Sequence, residues 1–240
     1  LRKLRTIQEI VLALLIIVAV RALGPLVLIR FGIVASHQIG GLAPMPEIYL
    51  SDRDAGRCGP KGIDIFCHDV RGVANVQLDK MWRRAVIVFP HAAVARRFIR
   101  WMPKRHRIPW ADEESVDFNC SLKGTQPHIS FTDEEEQLGQ AGLRALGIPE
   151  GAPFVCLHGR DPAHVASVKP ESDRPGSAYR NCSIHNYLPA AEEMARRGYF
   201  VLRMGSVVEE PLHTTNEMVI DYATHGRTDF LDVYLAAKCH

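Results

Sequence analysis

The residues best suited to chemistry lie at the ends of two short apolar runs in the C-terminal half. Phe154-Val155-Cys156-Leu157 reads as a strand that delivers His158-Gly159-Arg160-Asp161 to its end. In an open α/β sheet, ligands bind outside the carboxyl ends of the strands. An arginine there suits a diphosphate, because its planar fork donates two parallel hydrogen bonds to phosphate oxygens. His158 can orient Arg160 or touch the ligand, and Asp161 can pair with Arg160 or hold a ribose hydroxyl. Tyr179-Arg180-Asn181 sits later in the same loop, polar and able to reach over a ligand. A second run ends in Arg203-Met204-Gly205-Ser206, where Gly205 lets the backbone approach a phosphate closely. For each of these residues the plainer alternative is an ordinary loop salt bridge.

Several chemistries are excluded by what is missing. No G-x-x-x-x-G-K-[ST] occurs, no G-x-G-x-x-G follows a strand, and no G-x-S-x-G is present. A P-loop nucleotidase, a dinucleotide dehydrogenase and the usual α/β serine hydrolase therefore lack their fingerprints. The six cysteines, Cys58, Cys67, Cys120, Cys156, Cys182 and Cys239, are scattered without a CxxC, which fits reduced thiols in the cytosol. Only Cys67-His68 approaches a zinc-ligand pair, so no metal is expected.

The elements that must position these residues alternate between strand and helix, which points to α/β architecture with parallel sheets. Arg30–Ser36 and Glu47–Leu50 are short apolar runs around a turn at Gly40-Gly41, followed by a loop over Ser51–Gly62. Ile63–Cys67 predicts a strand, Val73–Arg84 an amphipathic helix and Ala85–Phe89 a strand stopped by Pro90. Thr132-Asp133-Glu134-Glu135 is a capping box opening a helix that Gly147 and Pro149 close. A strand over Ala152–His158, a loop to Cys182, a helix over Ile184–Arg197 and a strand over Tyr199–Arg203 complete a βαβ unit. Thr228 caps a last helix, to Cys239, that no strand follows, and the chain starts at Leu1 without Met, so a fragment of a longer protein is expected.

Charge divides the chain. Hydrophobic residues make up 47% and charged ones 23%, an ordinary globular mixture, and the net charge is only +2. Yet residues 1–110 carry 18 Lys/Arg against 7 Asp/Glu, and residues 111–240 carry 11 against 20. Two modules facing different partners are implied. The basic half opens with Leu1-Arg2-Lys3-Leu4-Arg5 and an uninterrupted apolar stretch, Ile10–Val20. A span needs about 20 apolar residues. Ile10–Ile29 reaches that only by including Arg21 and Gly24-Pro25. Arg21 also sits where a signal peptide would show its cleavage site. An interfacial anchor on the cytoplasmic leaflet is favoured over a true span or a buried helix. Arg96, Arg97, Arg100, Lys104, Arg105 and Arg107, interleaved with Trp101 and Trp110, are either a plain solvated basic helix face or fit an anionic lipid surface or a phosphorylated acceptor. Without an RRM, KH or zinc-knuckle signature they do not argue for nucleic acid.

The run from Phe154 to Asp161, with Tyr179-Arg180-Asn181, Ile184–Ala190, Val201–Gly205, Val219–Ala223 and Asp229–Tyr234, resembles a bacterial family of glycosyltransferases of surface-polysaccharide clusters. Ile39-Gly40 and Glu47–Leu50 resemble that family's first strand–loop–strand, although Gly40-Gly41 stands where a Gly-His pair is expected, with His37 nearby. The His-x-Arg element is also similar to one in fucosyltransferase families, where the arginine binds the donor diphosphate. The resemblance implies a GT-B-like fold of two Rossmann-like domains, the second one truncated. It implies an apolar helix at 1–29, an acceptor-side domain at 30–130 and the beginning of a nucleotide-sugar domain at 131–240. His158, Arg160, Asp161, Tyr179, Arg180, Asn181, Arg203, Gly205 and Ser206 would bind the donor, without a cofactor. A general base must deprotonate the acceptor hydroxyl. Asp52, Asp54 and His68 are the candidates. The partners implied are a nucleotide-sugar, a glycan or lipid-linked acceptor and the cytoplasmic membrane surface, with no nucleic acid. The rival reading is a non-catalytic module that holds a nucleotide or glycan at the membrane.

Overall fold

The computed structural model describes residues 2–108, 110, 122, 125–160, 162, 163, 167 and 179–240. It is mixed α/β and divides into two compact units, Leu1–Ser130 and Phe131–His240, each built on a three-stranded parallel sheet.

The first unit runs α1 (Arg2–Leu23), β1 (Ile29–Val34), α2 (Ile39–Leu42), α3 (Pro44–Asp54), β2 (Ile63–His68), α4 (Val76–Ala85), β3 (Ile87–Phe89) and α5 (Ala92–Trp101). The strand order is β1-β2-β3, with Val34 opposite His68 and Cys67 opposite Phe89. Strand side chains alternate between faces. Ile29, Phe31, Ile33, Ile65 and Cys67 accordingly meet Ala13 and Val20 of α1 and Val94, Ala95 and Phe98 of α5. The alternate residues face α3 and α4. Phe66 packs edge-on against Tyr49, and Trp82 donates its indole N–H to the Leu42 carbonyl at 2.9 Å. Arg30 and Asp64, paired across β1 and β2, form a buried ion pair of 2.6 and 3.1 Å. Gly32 leaves room for Trp110, whose ring would lie 2.6 Å from a Cβ there.

One expectation fails here. Glu47–Leu50, compared with a strand, lies within helix α3, and Gly40-Gly41 lies within the single turn α2. Parallel β1 and β2 demand a crossover, and helices usually supply it. Pro44 sets φ at the helix start, and Pro46, Tyr49 and Leu50 recur at i, i+3, i+4 on the buried side.

The second unit runs α6 (Asp133–Ala145), β4 (Phe154–His158), a 3₁₀ turn (Ile184–Tyr187), α7 (Leu188–Arg196), β5 (Phe200–Met204), β6 (Val219–Ile220) and α8 (Asp229–Lys238). Its strand order is β4-β5-β6, with His158 opposite Met204. The capping box of α6 forms as its sequence requires, and Gly147 and Gly198 close their helices at φ +82° and +90°. Leu202 and Phe154 face α6 and α8, whereas Val201 faces Ile184, Ala191 and Ala195. Gly139 and Gly142 let α6 sit directly on α8: a Cβ at either would collide with Tyr234 or Leu231.

Candidate functional site

Each sheet presents its carboxyl edge as a place for polar side chains, and the two edges are described separately.

In the second unit, β4 ends at His158, whose side chain is exposed, and Arg160 lies two residues beyond. The Cys182 amide donates to the Arg160 carbonyl at 3.1 Å, so the returning end of the loop is pinned beside β4. Nη1 of Arg160 and Oδ1 of Asn181 are buried and have no hydrogen-bond partner among the described residues. A buried cationic N–H without a partner costs more than a neutral one, so such a group is a candidate to meet an acceptor. Beyond the pinned loop, Ser183 donates to Glu210 at 3.0 Å, and the rings of His185 and His213 stack at 6.0 Å. Tyr179 is 83% exposed and Arg180 is exposed beside it. Asp161 lies outside the described residues.

Arg203 and Gly205 are used differently. Arg203 is buried, and its Nη1 donates to Asp221 at 2.9 Å and to the Glu210 carbonyl at 3.2 Å. Asp221 also accepts from the Leu212 amide at 2.9 Å and from the Thr224 hydroxyl at 2.7 Å. Burial works against the Asp221 carboxylate, but the Leu212 amide, Thr224 and Arg203 together hold its pKa below the ordinary range. The pair therefore clamps the loop between β5 and β6 inside the unit. A Cβ at Gly205 would meet Val208 at 2.7 Å, so packing alone requires that glycine. Ser206 is exposed at the same edge.

In the first unit, period-two alternation turns His68 toward α4, where its Nε2 lies 2.6 Å from Oδ1 of Asp79. The other oxygen of Asp79 accepts from Arg83 at 2.8 Å. His37 approaches Asp69 at 4.0 Å, but Asp69 is committed elsewhere: two bonds from the Arg71 guanidinium pull its pKa to about 2. Asp69 is thus too weak a base for a hydroxyl. Asp52 and Asp54 lie at the opposite end of the sheet. Asp52 pairs with Arg57 at 2.6 Å, while Asp54 sits by Arg53, which reaches Asp64 at the start of β2. The structure therefore does not bring Asp52 and Asp54 together with His68.

Asp54 instead takes part in a clip. His128 approaches Asp54 through Nε2 at 3.2 Å and Glu47 through Nδ1 at 3.0 Å. Also in this unit, Arg5, Gln8, Glu9 and Leu12 of α1 face Val70 and the start of α5 across a groove of about 440 Å³.

Sequence reasoning missed Asp79, Ser183, Glu210 and His213, each brought in by tertiary structure from outside the strand-end tripeptides. No group of three or more His, Cys, Asp or Glu side chains that could hold a metal occurs among the described residues. A scan of protein-family models and searches of curated proteins and solved structures found no match to this chain.

Proposed function

We propose that this chain is part of a glycosyltransferase that moves a sugar from a nucleotide-sugar to a polysaccharide or lipid-linked acceptor in cell-surface glycan synthesis. In this reading the two units are the Rossmann-like halves of a GT-B-like enzyme, working at the cytoplasmic face of the inner membrane. The observation that carries it is the Nη1 of Arg160 past the end of β4, buried and without a hydrogen-bond partner among the described residues. That is where a parallel sheet takes its ligand, and a donor diphosphate is the anion such a group would meet.

Arg160 then neutralises charge growing on the leaving diphosphate, an electrostatic role that tends to dominate such transfers. Ser183, His185 and Asn181 line the same edge and can address the ribose or base. His68 takes the acceptor's proton, and the adjacent Asp79 carboxylate stabilises the imidazolium that forms. The groove beside α1 supports a lipid-linked acceptor, because its wall is continuous with an apolar helix surface.

The test is a panel of nucleoside diphosphates and nucleotide-sugars, read by thermal shift on the chain and on Arg160→Ala. One nucleotide family should stabilise by about 2–3 kcal/mol at a hundredfold excess over Kd, and the variant should lose the effect. No shift from any nucleotide on folded protein removes the reading. Binding without consumption of any nucleotide-sugar leaves a nucleotide-holding module in its place.

A further inference from the structure

Helix α1 is apolar enough to cross a membrane, with a mean hydropathy of 2.2 over its best window. It nevertheless packs along its own domain. Ala13 and Val20 are buried against α5 and the sheet, with Ile16 and Ile17 beside them. Glu9 closes the docking with an ion pair to Arg97 at 3.2 Å. Among the described residues nothing covers the opposite side: Leu4, Ile7, Val11, Leu14, Leu15 and Val18 are between 49% and 64% exposed. A row of exposed apolar residues this long marks an interaction surface.

Charge identifies the occupant. Across residues 1–30 and 91–108 the only acidic residue is Glu9, already tied to Arg97 and 3.4 Å from Arg5. Lys3, Arg5 and Arg21 on α1 are exposed, as are Arg96 and Arg100 on α5 and Lys104 and Arg105 just after it. Gly24, just past the end of α1, lies near the Arg105 guanidinium, so this cation stands beside the end of the helix, while Lys3, Arg5 and Arg21 flank its apolar face. Trp101 is 51% exposed at the same end of α5, the kind of side chain that settles at a headgroup layer. The corresponding outer helix of the second unit, α6, exposes Asp133, Glu134, Gln137 and Arg144 instead, so the layout itself does not require an apolar exterior.

We propose that α1 lies flat in the headgroup region of an anionic bilayer, held to its domain by the Ala13–Val20 stripe and the Glu9–Arg97 pair. The proposal deepens the membrane placement made above and stands apart from the transfer chemistry. A spanning α1 would leave the docked stripe and expose Glu9 to lipid, at a cost the ion pair now avoids. Apolar insertion and attraction of the cations to anionic lipid act together, each exposed cation near the surface adding about 1 kcal/mol.

The test is flotation of the full chain with phosphatidylcholine vesicles, with and without phosphatidylglycerol. Binding should require phosphatidylglycerol and weaken in high salt. Leu15→Glu and Val18→Glu should each lower partitioning by about tenfold or more, with the unfolding transition unchanged. Leu138→Glu on α6 should leave partitioning unaltered. Leu4→Trp, Val11→Trp and Val18→Trp should be quenched by bromolipids at one common shallow depth. A deep maximum at position 11 between shallow ends would show a span and overturn the flat seating alone. Failure to bind either vesicle would overturn both the seating and the membrane placement, while leaving the nucleotide test untouched.

Discussion

In both units the helix before the first strand and the helix after the last pack on one sheet face, α1 with α5 and α6 with α8. Both also bury an Arg–Asp pair among apolar neighbours, Arg30 with Asp64 and Arg203 with Asp221. They part company at their exposed surfaces. The outer face of α6 carries Asp133, Glu134, Gln137 and Arg144 beside Leu138, Ala141 and Ala145, whereas that of α1 carries a long apolar row flanked by Lys3, Arg5 and Arg21. At the carboxyl edges, the second unit has an arginine nitrogen with no partner among the described residues, and the first has a histidine with a carboxylate at one ring nitrogen. Interiors of similar plan leave the exterior free to follow its surroundings. Where two such surfaces differ, the difference reports what each one meets.

The comparison breaks most visibly if the internal arginines are not equivalent. Removing one partner of a buried pair strands the other charge, at about 3–5 kcal/mol. Arg203→Ala should therefore destabilise the second unit, and Arg30→Ala the first, by that amount, in urea unfolding fitted with a transition for each unit. Arg160→Ala should leave stability unchanged or raise it, because its Nη1 has no hydrogen-bond partner among the described residues to lose and its buried charge is relieved. A loss as large as that of Arg203→Ala would make Arg160 structural and close the donor site.

Asp79 offers the next effect. With turnover established, Asp79→Asn should lower kcat by about 10–100-fold and leave nucleotide affinity unchanged, since it removes only the counter-charge of an imidazolium. Asp79→Glu should recover part of the rate. Equal rates for Asn and Glu variants would reduce Asp79 to a partner of Arg83 and remove His68 as the base.

The strands were legible because apolar runs bounded by Gly and Pro admit few other readings. The caps at Thr132 and Thr228 were legible because a hydroxyl that meets free helix amides does so within three residues. Helix α3 was not, since Ile48-Tyr49-Leu50 reads as well as a strand until the parallel pairing of β1 and β2 requires a crossover. The site was half legible for a related reason. Arg160 and Arg203 both stand at strand ends, and what separates them is Asp221, 18 residues from Arg203. Likewise Asp79 meets His68 only after a turn and a helix cap at Asn75 have folded. Donor and acceptor types can be read along a chain, but whether a group is already satisfied is a property of the folded neighbourhood.

The smallest effect separates the histidines of the first unit. His68 has a carboxylate at one ring nitrogen, whereas His128 is held at both, by Glu47 and Asp54. Burial alone would push the His128 pKa down, but its bonds to the two carboxylates outweigh this and raise it. A folded-state value above the unfolded one, about 6.5, means that the clip contributes fully below that pH. Its contribution is lost as pH rises through the elevated value. The wild-type chain should therefore lose slightly more stability between pH 6 and about 8.5 than His128→Gln, by under ~1 kcal/mol because the clip is partly solvated. Asp221 supplies the opposite sign in the second unit: its lowered pKa gives stability that is present above about pH 4 and lost in acid. If His128→Gln followed the wild-type profile between pH 6 and 8.5, the clip would carry no charge. His128 would then hold α3 by neutral hydrogen bonds alone.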